Sequence, residues 1–261
     1  MERLEPGAYD LLIDNAVAQA LAELEFESLR STQQRLDSSA LATYVADHLR
    51  VLLERSIRAT PEKHRAERAV EIANALIHRL HALLPALAPH LPTLPADPRR
   101  LQAIEKTDPS GQFVHVQHPA TPLRDTALFT NAPGEPRLGH ELSSELASAD
   151  AVDIVMAFVR FSGIRTLLEA LEACTRRHVP VRLVTTVYTG STELRALDAL
   201  ANAGVEIKVS YETGPTRLHA KAWLFRRHSG FSTVYIGSSN LTYSAQITGQ
   251  EWNVRAGEAT T

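Results

Sequence analysis

Apolar side chains recur at helical spacing through the first third of the chain. Leu11, Leu12, Ala16, Ala20, Leu21 and Leu24 share one face, with Glu, Asp and Gln between them. That 3.6-residue period predicts an amphipathic helix. A second run starts at Ser39 and continues through Leu41, Val45, Leu49, Leu52, Leu53 and Ile57, with Ser38 or Ser39 placed to cap it. A third, from His64 to Leu84, turns Ala69, Ile72, Ala73, Leu76, Ile77 and Leu80 inward. Pro85, Pro89, Pro92, Pro95 and Pro98 then recur too often for a helix to continue. Residues 1–98 therefore predict a helical bundle of three helices and a rigid proline-rich connector.

The pattern changes in residues 99–261. Val152 to Val159 is a continuous apolar run, as a strand buried on both faces would be. An amphipathic helix is expected over Gly163 to Arg176, and a second buried strand over Val181 to Val187. Ser191 with Glu193 opens a further helix that Ala203-Gly204 closes, and Val205 to Ser210 forms the next strand. Strand and helix in alternation predict an α/β sheet. Two more strand-like runs follow, Leu218 to Phe225 and Val234 to Gly237, joined by a polar turn around His228 to Gly230.

Composition narrows the function classes. The 261 residues carry 27 Lys+Arg against 30 Asp+Glu, for a net charge of −3. A non-specific basic wrapper of nucleic acid is excluded, so any polyanion must meet a local patch. The single Cys174 rules out an intramolecular disulfide framework and fits a reducing, cytoplasmic setting. It falls inside a helix with apolar neighbours and reads as a buried small side chain. No signal peptide and no run long enough to span a membrane is seen.

The local patch is present. From Thr213 to Gln250 there is no Asp or Glu, while Arg217, His219, Lys221, Arg226, Arg227 and His228 all occur. On a strand, alternation puts Arg217, His219 and Lys221 on one face and sends Leu218 and Ala220 to the core. Three such groups side by side suit an anion, phosphate above all. Gly237-Ser238-Ser239-Asn240 ends a strand and opens a short helix over Leu241 to Ile247, where backbone N–H groups add to an anion site. Trp223 shares a face with Lys221, where it either stacks a base or packs in the core. Arg226, Arg227 and His228 either extend the patch or form a solvated turn. His115 and His118 lack the partners that a metal site needs.

His219-Ala220-Lys221 followed by Gly237-Ser238-Ser239-Asn240 resembles the HxK…GSxN core of the phospholipase D superfamily. Glu251 matches the carboxylate that bonds the catalytic histidine in the family's nucleases. The resemblance implies a phospholipase-D-like mixed sheet flanked by helices. More narrowly, the LEPGAYDLL start and the runs TRLHAKAWLF, GFSTVYIGSSNLT and GQEWNVR are similar to a bacterial group in which such a nuclease domain precedes a DEAD/DEAH-type helicase. No Walker A motif occurs here, so a truncated chain or a stand-alone homologue is expected. The full signature, HxKxxxxD, places Arg226 where the family has Asp.

The resemblance implies a phosphodiesterase that cleaves DNA with no metal and no cofactor. His219 would attack phosphorus, Glu251 would orient it, and Lys221 and Asn240 would hold the non-bridging oxygens. Ser238, Ser239, Arg217 and Arg226 would complete the phosphate cradle. With one HxK per chain, the second histidine would come from a homodimer sharing one active site. A DEAD/DEAH helicase in cis or trans is an expected partner. A catalytically silent nucleic-acid-binding or dimerisation module is the alternative. A lipid phosphodiesterase fits less well, since no amphipathic helix with a basic face is seen.

Overall fold

The computed structural model describes residues 4–24, 29–188 and 190–257. The chain divides into two compact units, Met1–Arg100 and Leu101–Thr261.

In the first unit α1 spans Asn15–Leu24, α2 Ser38–Ala59 and α3 Glu62–Leu83. Leu11 and Leu12 lie outside α1, because Asp14 caps it by accepting from the amides of Ala16 and Val17 at 3.0 and 2.8 Å. Asp37, rather than Ser38 or Ser39, caps α2. Its carboxylate accepts from the Ala40 amide at 2.8 Å and the Ser39 hydroxyl at 2.7 Å. The proline segment is not wholly extended, since Pro85–His90 winds into a 3₁₀ turn. Asn74 holds it to α3 by exchanging two hydrogen bonds with Leu94.

The three helices form, but a bundle core does not close among them. Among the described residues of this unit only Ala20 and Val70 are buried, while Leu41, Val45, Leu49, Leu52, Leu76 and Leu80 stay exposed. α2 packs on α3, the 3₁₀ turn packs on α3, and Tyr44 and His48 of α2 reach Asp10 and Asp14 beside α1, contacts that leave much of the apolar stripes uncovered.

The second unit is a seven-stranded mixed sheet flanked by helices. Its strands are β1 (Ala127–Phe129), β2 (Ala151–Met156), β3 (Val181–Thr186), β4 (Glu206–Ser210), β5 (Lys221–Arg226), β6 (Thr233–Gly237) and β7 (Asn253–Gly257). They lie in the order β1-β7-β6-β5-β2-β3-β4. β2, β3 and β4 are parallel and the remaining pairs antiparallel.

Helices α4 (Leu138–Ser148), α5 (Phe161–Ile164), α6 (Leu168–Arg176) and α7 (Leu194–Asn202) bury Leu142, Leu146, Ile164, Leu171, Ala196 and Leu200 in one core. Ile154, Leu183, Trp223, Phe225 and Tyr235 of the sheet complete it. On the alternate positions, Leu128, Val254 and Ile236 stand in register across β1, β7 and β6, and all three are exposed.

Several boundaries depart from expectation. β2 stops at Met156, and Val159 instead bridges to Leu241. The helix expected over Gly163 to Arg176 breaks into α5 and α6, since Gly163 presses on the Leu241 backbone and Thr166 turns back to bond the Gly163 carbonyl. Glu193 does not cap α7 with its side chain, which instead accepts from the amide of Phe161, the first residue of α5, at 2.8 Å. The short helix expected after Asn240 is a π-helical turn over Ser244–Thr248.

Candidate active site

His219 and Lys221 lie where the chain enters β5. The Ala220 carbonyl between them accepts from the Ala157 amide at 3.0 Å, and Lys221 pairs with Met156 of β2. This zips the HxK segment to the end of β2. The GSSN segment meets the same place, for the Phe158 amide donates to Asn240 Oδ1 at 3.2 Å and the Leu241 amide to the Phe158 carbonyl at 3.1 Å. His219, Lys221 and Asn240 are thereby gathered at one end of the central strands.

Lys221 Nζ lies 3.1 Å from His219 Nδ1 and 3.3 Å from Nε2, and donates to the His219 carbonyl at 2.9 Å. Burial pushes the Lys221 ammonium below the ordinary lysine range, and the charge of Glu251 pulls it back up. The His219 ring is exposed and meets the rings of Phe158 and Tyr188 at 5.9 and 6.3 Å between centroids. Neither aromatic residue was legible as a site residue, since each reads as part of a strand or its following loop.

Glu251 departs from the expected pairing. Its carboxylate accepts from the Ser238 hydroxyl, and among the described residues it makes no hydrogen bond to His219. Ser238 also accepts from the Trp252 amide at 3.1 Å and donates its own amide to the Trp252 carbonyl at 3.0 Å. Ser238 and Glu251 thus tie the GSSN turn to the approach of β7.

Ser239 faces inward. It is buried, its hydroxyl accepts from Asn253 Nδ2 at 2.8 Å, and it donates to the Ala245 carbonyl at 3.3 Å. Its side chain is spent on the fold, which removes it from the expected cradle. Asn253, missed in the sequence, holds that turn; its place two residues after Glu251 was the available signal.

The remaining basic residues separate. Arg217 is exposed near His219, with its guanidinium 5.3 Å from the Tyr188 ring centroid. Arg226 lies at the far end of β5, about 17 Å of strand from Lys221, and pairs with Asp153 at 2.8 Å. It does not join the cradle. Arg227 is buried on Glu145, His228 lies 3.3 Å from Asp150, and Trp223 stacks on Phe225 in the core. The basic patch therefore ends at Lys221, and Trp223 stacks no base.

No group of three or more His, Cys, Asp or Glu among the described residues could hold a metal ion, and His115 bonds Glu105 instead. No helix among those residues is long and apolar enough to cross a membrane.

No curated protein matches the chain. Among solved structures it is similar to Nuc, a phospholipase D family member from Salmonella typhimurium, at 21% identity and a TM-score of 0.39, covering 51% of this chain and 84% of that one. NucT from Helicobacter pylori is 16% identical with a TM-score of 0.41, over 50% of this chain and 84% of that one. Residues 142–259, which carry the later part of α4, β2 to β7 and both motif segments, match the family described as cardiolipin synthase, PLD-like domain, so this stretch of the chain is similar to a phospholipase-D-like domain.

Proposed function

We propose that the chain is a metal-independent phosphodiesterase that cleaves DNA through a phosphohistidine intermediate. Residues 99–261 form the nuclease domain and residues 1–98 its helical companion. The observation that carries this reading is the meeting of His219, Lys221 and Asn240 at one strand end, bordered by Ser238 and Glu251.

A ring nitrogen of His219 bonds to phosphorus as the P–O bond to the leaving oxygen breaks. Lys221 and Asn240 stabilise the charge gathering on the non-bridging oxygens. The leaving oxygen takes its proton from His219 of a second copy, so that a homodimer shares one site. Water then adds to phosphorus, returns a proton to that imidazole, and releases His219. Glu251 supports the charge at the site through Lys221 and fixes the turn through Ser238. A DEAD/DEAH helicase, in cis or trans, supplies the DNA in a cytoplasmic restriction or defence setting.

Oligonucleotide or plasmid is incubated with the protein in excess EDTA. Wild type cleaves and His219→Ala does not; intact DNA with wild type, or equal cleavage by both, overturns the proposal. The bond between Glu251 and Ser238, in place of one to His219, favours a second reading in which the site only binds nucleic-acid phosphates. Salt-dependent binding with no acid-labile phosphohistidine after denaturing quench would select it.

A further inference from the structure

Arg217 precedes His219 by two positions and is exposed. Its guanidinium rests over Tyr188, and its hydrogen bond is to the Gly214 carbonyl at 3.5 Å. Among the described residues no carboxylate pairs with it, as none pairs with Arg195 over Phe161; what sets Arg217 apart is its place beside His219. A cation seated on an aromatic ring and left unneutralised leaves room for an anion in front of it.

Tyr188 also fixes where that cation stands. Its ring meets His219 edge-on, and Phe158 contacts both, 5.6 Å from Tyr188 and 5.9 Å from His219. The Phe158 amide in turn holds Asn240. One aromatic wall thus links Arg217 to His219 and Asn240. Two residues of chain reach at most about 7 Å, a span comparable with one nucleotide step of a single strand. An anion on Arg217 is then the neighbour of the phosphate on His219 and Lys221.

We propose that Arg217, seated on Tyr188, forms a second phosphate subsite that holds the diester next to the scissile one. The favoured substrate is then a polynucleotide strand with at least two phosphodiesters, and an isolated diester, such as a lipid's, is disfavoured. This inference rests on the nuclease reading above. Tyr188 acts through Arg217 and is a positioning residue.

The test compares a DNA trinucleotide with its two isomers in which one linkage is a neutral methylphosphonate. For one isomer, neutralising the neighbour lowers wild-type kcat/KM roughly tenfold, the scale of one charge-assisted contact. The same change costs Arg217→Ala less than about twofold. Tyr188→Ala reproduces Arg217→Ala, while Tyr188→Phe, which keeps the ring, behaves as wild type. Equal losses in wild type and Arg217→Ala overturn the subsite. If the wild type cleaves none of the three strands, the nuclease reading fails separately. Fluorescence anisotropy with the same strands then decides the subsite, and equal wild-type affinity for charged and neutral strands overturns it.

Discussion

Lys221 Nζ stands 3.1 Å from Nδ1 of His219, a contact between an ammonium and an imidazole with Glu251 as the charge that offsets it. Burial lowers the Lys221 pKa and Glu251 raises it. Holding a phosphate needs the protonated amine. The alkaline limb of the pH–kcat/KM profile is therefore expected below the ordinary lysine value, and Glu251→Gln moves it lower still. A limb that Glu251→Gln leaves in place would count against this coupling. Stability has the matching sign: between the lowered pKa and the ordinary one the unfolded chain binds more protons, so stability rises with pH there.

Arg226 stands where the superfamily signature has Asp, and the structure puts it against Asp153 beside Arg182. Arg226→Ala is expected to leave DNA cleavage within about twofold of wild type, as for a surface change away from the chemistry. The pair it breaks has an exposed arginine on a half-buried Asp153 that keeps Arg182, and its loss is expected to cost about 1 kcal/mol or less. A tenfold loss of kcat/KM would place Arg226 on the substrate path after all.

The alternation of strand and helix was legible because buried strands read as apolar runs; β3 and β4 lie within the stretches expected for them, and β2 and β6 each start one residue earlier. His219, Lys221 and Asn240 were singled out by the H-x-K…GSxN spacing together with the family resemblance that it carries. The inward turn of Ser239 was not, because Ser238 and Ser239 are chemically identical and only the β7 partner Asn253 distinguishes them. Arg227 misled for the opposite reason. It sits in a basic run, yet its partner Glu145 is distant in sequence, and no local pattern announces such a pair.

Glu145 is fully buried between two arginines. It accepts from Arg227 at 2.5 Å and Arg255 at 2.9 Å, and from the Thr233 and Tyr235 hydroxyls at 2.8 and 3.0 Å. Glu145→Ala strands two buried cations and is expected to cost about 3–5 kcal/mol in urea unfolding. A change under about 1 kcal/mol would mean that water reaches the cluster. Burial, followed by the Glu145 charge, pushes the Tyr235 phenol far above its usual range. The folded protein keeps that proton while the unfolded chain loses it, so stability is full below about pH 10 and falls above it. Phenolate absorbance from Tyr235 should therefore appear only with unfolding.

Gly237 is where β6 hands the chain to the GSSN turn. A Cβ there would overlap the Trp252 carbonyl oxygen and stand 2.5 Å from Oδ1 and 2.7 Å from Cα of Asn253, at the start of β7 just after Glu251. Two of these three neighbours are backbone atoms, which yield only by moving the start of β7 away from β6. Gly237→Ala is expected to cost roughly 1–3 kcal/mol of stability, as overpacking does. Separating the strands also moves Glu251 away from Ser238 and Lys221. Cleavage should therefore fall by more than the loss of folded protein accounts for, measured as kcat on the folded fraction. If Gly237→Ala unfolds at the wild-type denaturant concentration and cleaves at the wild-type rate, the close approach of β6 and β7 is not what positions Glu251.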